Sequence, residues 1–189
     1  MSKKKYEWGV ISGRFQSFHK GHEKVIEKGI ELCDNLLILI SSSQVSGTER
    51  NPFNITTRFN MLFKSYIDYP NVYIGVISDL STEDDISPEW GEYILNRVRY
   101  YIGRKPDVII FGNDEERGKW FSDEQKQGID EIVIKREELP ISATLMREYI
   151  VENNKEEWMK YTNPNIHTMW DSLREELKNV PAYQDKNWR

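Results

Sequence analysis

Gly13-Arg14-Phe15-Gln16-Ser17-Phe18-His19-Lys20-Gly21-His22 joins an apolar run, Tyr6 to Ile11, to a segment in which Val25, Ile26, Ile30 and Cys33 recur at helical spacing. The first reads as a strand and the second as a helix with Glu and Lys on its outer side. A glycine, two cations and two histidines on a strand-to-helix turn describe an anion site. The helix start offers unbonded N–H groups and the positive dipole end, and a glycine lets backbone approach a ligand closely. His19 and His22, three apart, can share one side of the first helical turn. An imidazole there can donate to a phosphate oxygen while Arg14 or Lys20 adds charge. The pair alone is equally compatible with half a metal site or with two solvated histidines. They are two of only three histidines in the chain, and no nearby cysteine or carboxylate completes a zinc set.

Working outward, short apolar runs recur at Tyr6 to Ile11, Leu36 to Ser41, Val72 to Ile77, Val108 to Phe111 and Ile129 to Ile134. Helical patterns fall between or after them, at Lys20 to Cys33, Thr56 to Ile67, Pro88 to Ile102 and Thr144 to Val151. Strands apolar on both sides and separated by helices predict an α/β fold: an open parallel sheet flanked by helices. Ser41 to Asn54 reads as a polar loop leaving the C-terminal end of the second strand, the edge where such sheets bind ligands. From Asn153 a helical tail follows, anchored by Trp158, Tyr161, Ile166, Met169, Trp170 and Leu173. Its last residues, Ala182 to Arg189, are expected to fray or to be held by a partner. The expected division is a main α/β domain over 1–152 and a helical extension over 153–189, packed on the same domain.

The 189 residues suffice for one buried core, and the net charge of −5 gives no support to a duplex nucleic-acid binder. An acidic average still permits an anionic nucleotide in a local basic cradle. Cys33 is the only cysteine, which excludes an intramolecular disulfide and reads as a core thiol in the helical pattern. Lys3-Lys4-Lys5 leads into a strand rather than a signal-peptide core, and no apolar run approaches a membrane span. A cytoplasmic protein without membrane or nucleic-acid partners is the expectation, with homo-oligomerisation left open.

Further motifs lie at the other strand ends. In Ile141-Ser142-Ala143-Thr144-Leu145-Met146-Arg147, either hydroxyl can cap the following helix, and Arg147 is either solvated or aimed at an anion. Asn51-Pro52-Phe53 with Arg58 reads as a turn and a helix start. In Phe111-Gly112-Asn113-Asp114, Asn113 offers a donor and an acceptor to an amide or ribose; Asp114 is a weaker candidate for magnesium, which often binds through substrate phosphates and water. Trp90 opens a helix after an acidic stretch and, as one of six tryptophans, reads from the residues alone as a packing group.

Gly13-Arg14-Phe15-Gln16-x-Phe18-His19-x-Gly21-His22 resembles the signature of the H-x-G-H nucleotidyltransferase superfamily, most closely its nicotinamide mononucleotide (NMN) adenylyltransferases of archaeal and bacterial type. Ser17 stands where those enzymes usually carry proline. Ile141-Ser142-Ala143-Thr144-x-x-Arg147 is similar to the family's Ile-Ser-x-Thr-x-x-Arg element, with Ala143 where glycine is common. Asn51-Pro52-Phe53 matches a third element in part, since the family commonly has threonine at Asn54 and glutamate at Thr57. The resemblance implies a Rossmann-like fold and adenylyl transfer from ATP to NMN, giving NAD and pyrophosphate. It implies His19, His22 and Arg147 as catalytic residues, and Gly13, Arg14, Phe15, Lys20, Gly21, Ser142 and Thr144 on ATP. Asn51, Trp90 and Asn113 would hold the acceptor, and Mg2+ would be bound mainly through the ATP phosphates with no protein metal site. The alternatives are transfer to another phosphorylated acceptor (nicotinate mononucleotide, FMN, phosphopantetheine or a polyol phosphate) and a nucleotide sensor without turnover.

Overall fold

The computed structural model describes residues 3–82, 87–112, 117–134, 141–186 and 188. Five strands, β1 (Tyr6–Gly13), β2 (Cys33–Ile40), β3 (Val72–Val76), β4 (Val108–Gly112) and β5 (Asp130–Ile134), form one sheet in the order β3-β2-β1-β4-β5. Every pairing is parallel. The chain steps outward from β1 to β3, then returns to the other side of β1 with β4. The C-terminal ends of β1 and β4 therefore flank the topological switch point, where open α/β sheets leave a crevice.

Both faces of the sheet are covered. Leu36, Ile38 and Ile40 of β2 join one core and Leu37 and Leu39 the other, as a strand with period two requires when neither side meets water. On the first face lie α1 (Lys20–Leu32), α2 (Ile55–Tyr66), α5 (Ala143–Val151), α6 (Lys155–Lys160), α7 (Trp170–Lys178) and α8 (Pro181–Gln184). On the second, α3 (Pro88–Ile102) packs Ile94, Leu95 and Val98 against the sheet, with the short α4 (Asp123–Lys126) leading into β5. Ser87 caps the start of α3 through the Trp90 N–H, and Gly103 ends it at φ 76°, a conformation glycine adopts without a Cβ clash.

Two expectations are corrected. Cys33 is not the last helical residue: its N–H bonds to Gly29 O, closing α1, while its own φ of −117° and ψ of 139° already start β2. Helix and strand thus join without a loop. The described residues after Ala182, 183–186 and 188, are not left to fray. Tyr183 is buried in the core, and the Trp188 indole donates to Tyr183 O at 2.9 Å beneath the Arg174 guanidinium. The tail as a whole contributes Trp158, Ile166, Trp170, Leu173 and Leu177 to the same core as β1 and β2.

Candidate active site

A cavity of about 350 Å³ opens at the switch point. Its floor is the end of β1 (Ile11, Ser12, Gly13) and Gly112 of β4; one wall is the β1–α1 turn, and the opposite wall is the start of α5. Arg14, Arg50 and Arg147 line it together with His19 and His22, and the described lining contains no carboxylate. Such a concentration of cations in an acidic chain selects an anion.

His19 is 1% exposed and serves as the N-cap of α1, its Nδ1 accepting from the Gly21 N–H at 3.1 Å. Because Nδ1 accepts, the proton of the neutral ring sits on Nε2. The His22 ring lies 4.0 Å from that of His19 between centroids and stacks near Phe18 at 5.9 Å. Gly21 cannot carry a side chain without cost, since a Cβ there would come within 2.9 Å of His19 Cε1. Phe15 takes φ 54°, a left-handed conformation that costs a bulky residue on the order of 1–3 kcal/mol. Burial of its ring beside Phe18 and His22 holds it there.

Arg147 is buried on the inner side of α5. It donates to Tyr183 Oη from Nε at 2.7 Å, to Gln16 O from one terminal nitrogen, and to Thr144 Oγ1 from the other at 3.3 Å. Ser142 caps α5 by accepting from the Leu145 N–H at 3.1 Å and does not line the cavity, whereas Ala143 and Thr144 do.

Gly13, Arg14, Phe15, His19, Gly21, His22, Thr144 and Arg147 are thus brought to one cavity. Lys20 is not: its side chain is exposed, and its N–H bonds to Tyr161 O. Asn51 is buried behind the rim, with its N–H on Thr48 Oγ1. Trp90 is 4% exposed in the second core, edge-on to Trp120 and beside Tyr93, away from the cavity lining. Asn113 and Asp114 lie outside the described residues. Ser17, at the position of the family proline, is buried, and the Gln16–Ser17 peptide bond is cis. Among the described residues no cluster of three or more His, Cys, Asp or Glu side chains could hold a metal ion.

A family model for cytidylyltransferase-like proteins matches residues 10–186. The chain belongs to the cytidylyltransferase-like family. A nicotinamide-nucleotide adenylyltransferase of Saccharolobus solfataricus is 37% identical to this cytidylyltransferase-like chain over 108 residues, covering 53% of the chain but only 60% of that relative. One from Sulfurisphaera tokodaii is 30% identical over 179 residues, 90% of the chain and 95% of that relative. Among solved structures, a bifunctional NMN adenylyltransferase/ADP ribose pyrophosphatase from Francisella tularensis has the same fold, with a TM-score of 0.70 at 19% identity over 96% of this chain and 52% of its own.

At this cytidylyltransferase-like site Arg50 escapes a reading of the sequence, as do the contacts of Gln16 and Arg58, which the motifs name without giving their partners. Arg50 lines the cavity from an exposed polar loop, where an arginine carries no pattern. Gln16 clamps Phe53 at both backbone atoms, donating to its carbonyl at 2.9 Å and accepting from its N–H at 2.8 Å. Arg58, fully buried, donates to the carbonyls of Arg14, Ser41 and Ser42 at 3.1, 2.7 and 2.9 Å. Burial draws its guanidinium down to about 10, with nearby Asp79 opposing the shift. Arg58 therefore braces the turn that holds Arg14 from behind.

Proposed function

We propose that this protein transfers the adenylyl group of ATP to NMN, forming NAD and releasing pyrophosphate. The observation that carries the reading is the convergence of His19, His22, Arg14, Arg50 and Arg147 on one cavity at the switch point, without a carboxylate in its described lining. The relatives named above add the acceptor. An oxygen of the NMN phosphate attacks the α-phosphorus of ATP; the bond from that phosphorus to the bridging oxygen breaks, and pyrophosphate leaves with the electron pair. A phosphate monoester is already ionised at neutral pH, so the attack needs no strong base.

Catalysis then rests on positioning and on charge stabilisation. His19 and His22 hold oxygens of the α- and β-phosphates, and Arg147 with Thr144 steadies the departing pyrophosphate. Arg14 and Arg50 balance the remaining charge, and Ser142 acts through the cap that starts α5. Asn51, Trp90 and Asn113 stay assigned to the acceptor side as part of this proposal. The cationic lining fits Mg2+ carried on the triphosphate rather than held by protein carboxylates, and when bound that ion neutralises phosphate charge. Residues 1–152 supply the reaction, and the extension over 153–189 supports it from behind the lining through Tyr183. A cytoplasmic setting fits a buried lone thiol, and no helix among the described residues is long and apolar enough to cross a membrane.

The experiment is to mix the purified protein with ATP, Mg2+ and NMN and to measure NAD and pyrophosphate together. Matched formation of both establishes the transfer and the acceptor. Pyrophosphate formed only with another phosphorylated acceptor moves the reading to that acceptor. ATP binding with no pyrophosphate from any acceptor makes the protein a sensor.

A further inference from the structure

Tyr183 of α8 belongs to none of the motifs at the strand ends, yet it bonds both to Arg147 of the cavity lining and to the residue that precedes Arg50. Its ring is buried, 7% exposed, and its hydroxyl makes two hydrogen bonds of opposite sense. It accepts from Arg147 Nε at 2.7 Å and donates to the Glu49 carbonyl at 3.2 Å. A phenol can do both at once, and phenylalanine can do neither. Glu49 immediately precedes Arg50, which lines the cavity. Arg147 is meanwhile bonded at all three nitrogens, to Tyr183, to Gln16 O and to Thr144 Oγ1. Of its five N–H donors, three are used within the described residues, and the other two remain for an anion. The bond at Nε fixes the plane of the guanidinium, because rotation about the last side-chain torsions would break it.

We propose that Tyr183 is a positioning residue for the nucleotidyl transfer: it sets the plane of Arg147 and tethers the loop that carries Arg50, so that both cations meet the phosphates of the bound nucleotide. The inference rests on the function proposed above. A group acting through Arg147 in this way affects the transition state more than substrate binding.

The test compares the full chain with Tyr183→Phe, which keeps the ring in the core and removes only the hydroxyl. The expected result is a kcat about tenfold lower, a KM for NMN changed less than about twofold, and folding retained by thermal melting. On an Arg147→Ala background the same substitution is expected to cost clearly less than on wild type, because one of the two groups it positions is gone and only the tether of the Arg50 loop is left to lose. A kcat within about twofold of wild type, or an equal loss on both backgrounds, overturns the proposal. If the wild-type chain releases no pyrophosphate with any mononucleotide acceptor, the proposed function fails instead. The Tyr183 bond is then read directly from the 15N–1H resonance of Arg147 Nε, assigned with Arg147→Lys. Protection from exchange in wild type that is lost in Tyr183→Phe supports the positioning, and identical signals overturn it.

Discussion

His19 and His22 share a motif but hold different positions. His19 is committed to the backbone through the Gly21 N–H, while His22 is half-buried with its ring among those of His19, Phe15 and Phe18. His22→Ala should therefore leave the melting temperature nearly unchanged and lower kcat at least about tenfold, as loss of a transition-state contact does. Unchanged turnover in a folded variant would remove His22 from the chemistry. Gly21→Ala tests the neighbouring constraint. Its Cβ would meet the His19 ring at 2.9 Å, so the ring must shift and the cap at Nδ1 weaken. A comparable loss of kcat is expected, and an alanine variant with wild-type turnover would show that the His19 position is not critical. The histidine turn was legible because glycine, cations and imidazoles in one turn between a strand and a helix carry their own chemistry. Arg50 and Tyr183 were not, since what recruits them is contact across the fold.

All five strands and α1, α2, α3 and α5 were visible as alternations of strand and helix periods, with the predicted edges within a few residues of those observed; α4 was not anticipated, and the tail was foreseen only as a helical segment without its divisions. Less visible was how the C-terminal helices hold the others in place. The family pattern at the start of α2, threonine at Asn54 and glutamate at Thr57, would make a capping box. Here Asn54 caps the Thr57 N–H, and the carboxylate comes from another helix: Glu176 of α7 accepts from Asn54 N–H at 2.7 Å, Asn54 Nδ2 at 2.6 Å and Thr57 Oγ1 at 2.6 Å. A box normally closed within four residues is thus closed in space by the tail. No spacing rule in the sequence reports such a partner. Glu176→Ala removes charge-assisted bonds to a helix start and should cost about 2 kcal/mol, or roughly 4–8 °C in melting temperature for a chain of this size. Glu176→Gln, which retains an acceptor for the Asn54 N–H, should lie between the two. A melting temperature equal to wild type for the alanine variant would refute the cap. Arg58 sits one turn into the same helix, so loosening this end also reaches the turn that carries Arg14.

At the scale of the whole molecule, the two-faced sheet buries its one thiol where only large-scale opening exposes it. Cys33 is fully buried, and burial pushes its thiol up to about 11, so at pH 8 the reactive thiolate is nearly absent as well as inaccessible. Alkylation of the native protein at pH 8 should be slower by orders of magnitude than that of the urea-unfolded chain, with mass spectrometry as the readout. Rapid labelling of the native state would show that the β1–β2 end of the sheet opens on its own. The prediction of a core thiol came from composition and context. Its place at a helix–strand junction did not, because helical periodicity cannot register a strand that begins without a turn.

The bonds at and behind the cavity join residues far apart along the chain: Arg147 to Gln16 across 131 positions, Glu176 to Asn54 across 122, and Tyr183 to Glu49 across 134. The β1–β2 and β2–β3 pairs, by contrast, are neighbours in sequence order. Closing long loops is entropically unfavourable and comes late, and chains of this length commonly fold through intermediates. Nucleotide binding should therefore be the last property a refolding molecule regains. Far-UV ellipticity returns first, burial of the tail tryptophans next, and a cavity able to hold a triphosphate only when the two ends of the chain have met.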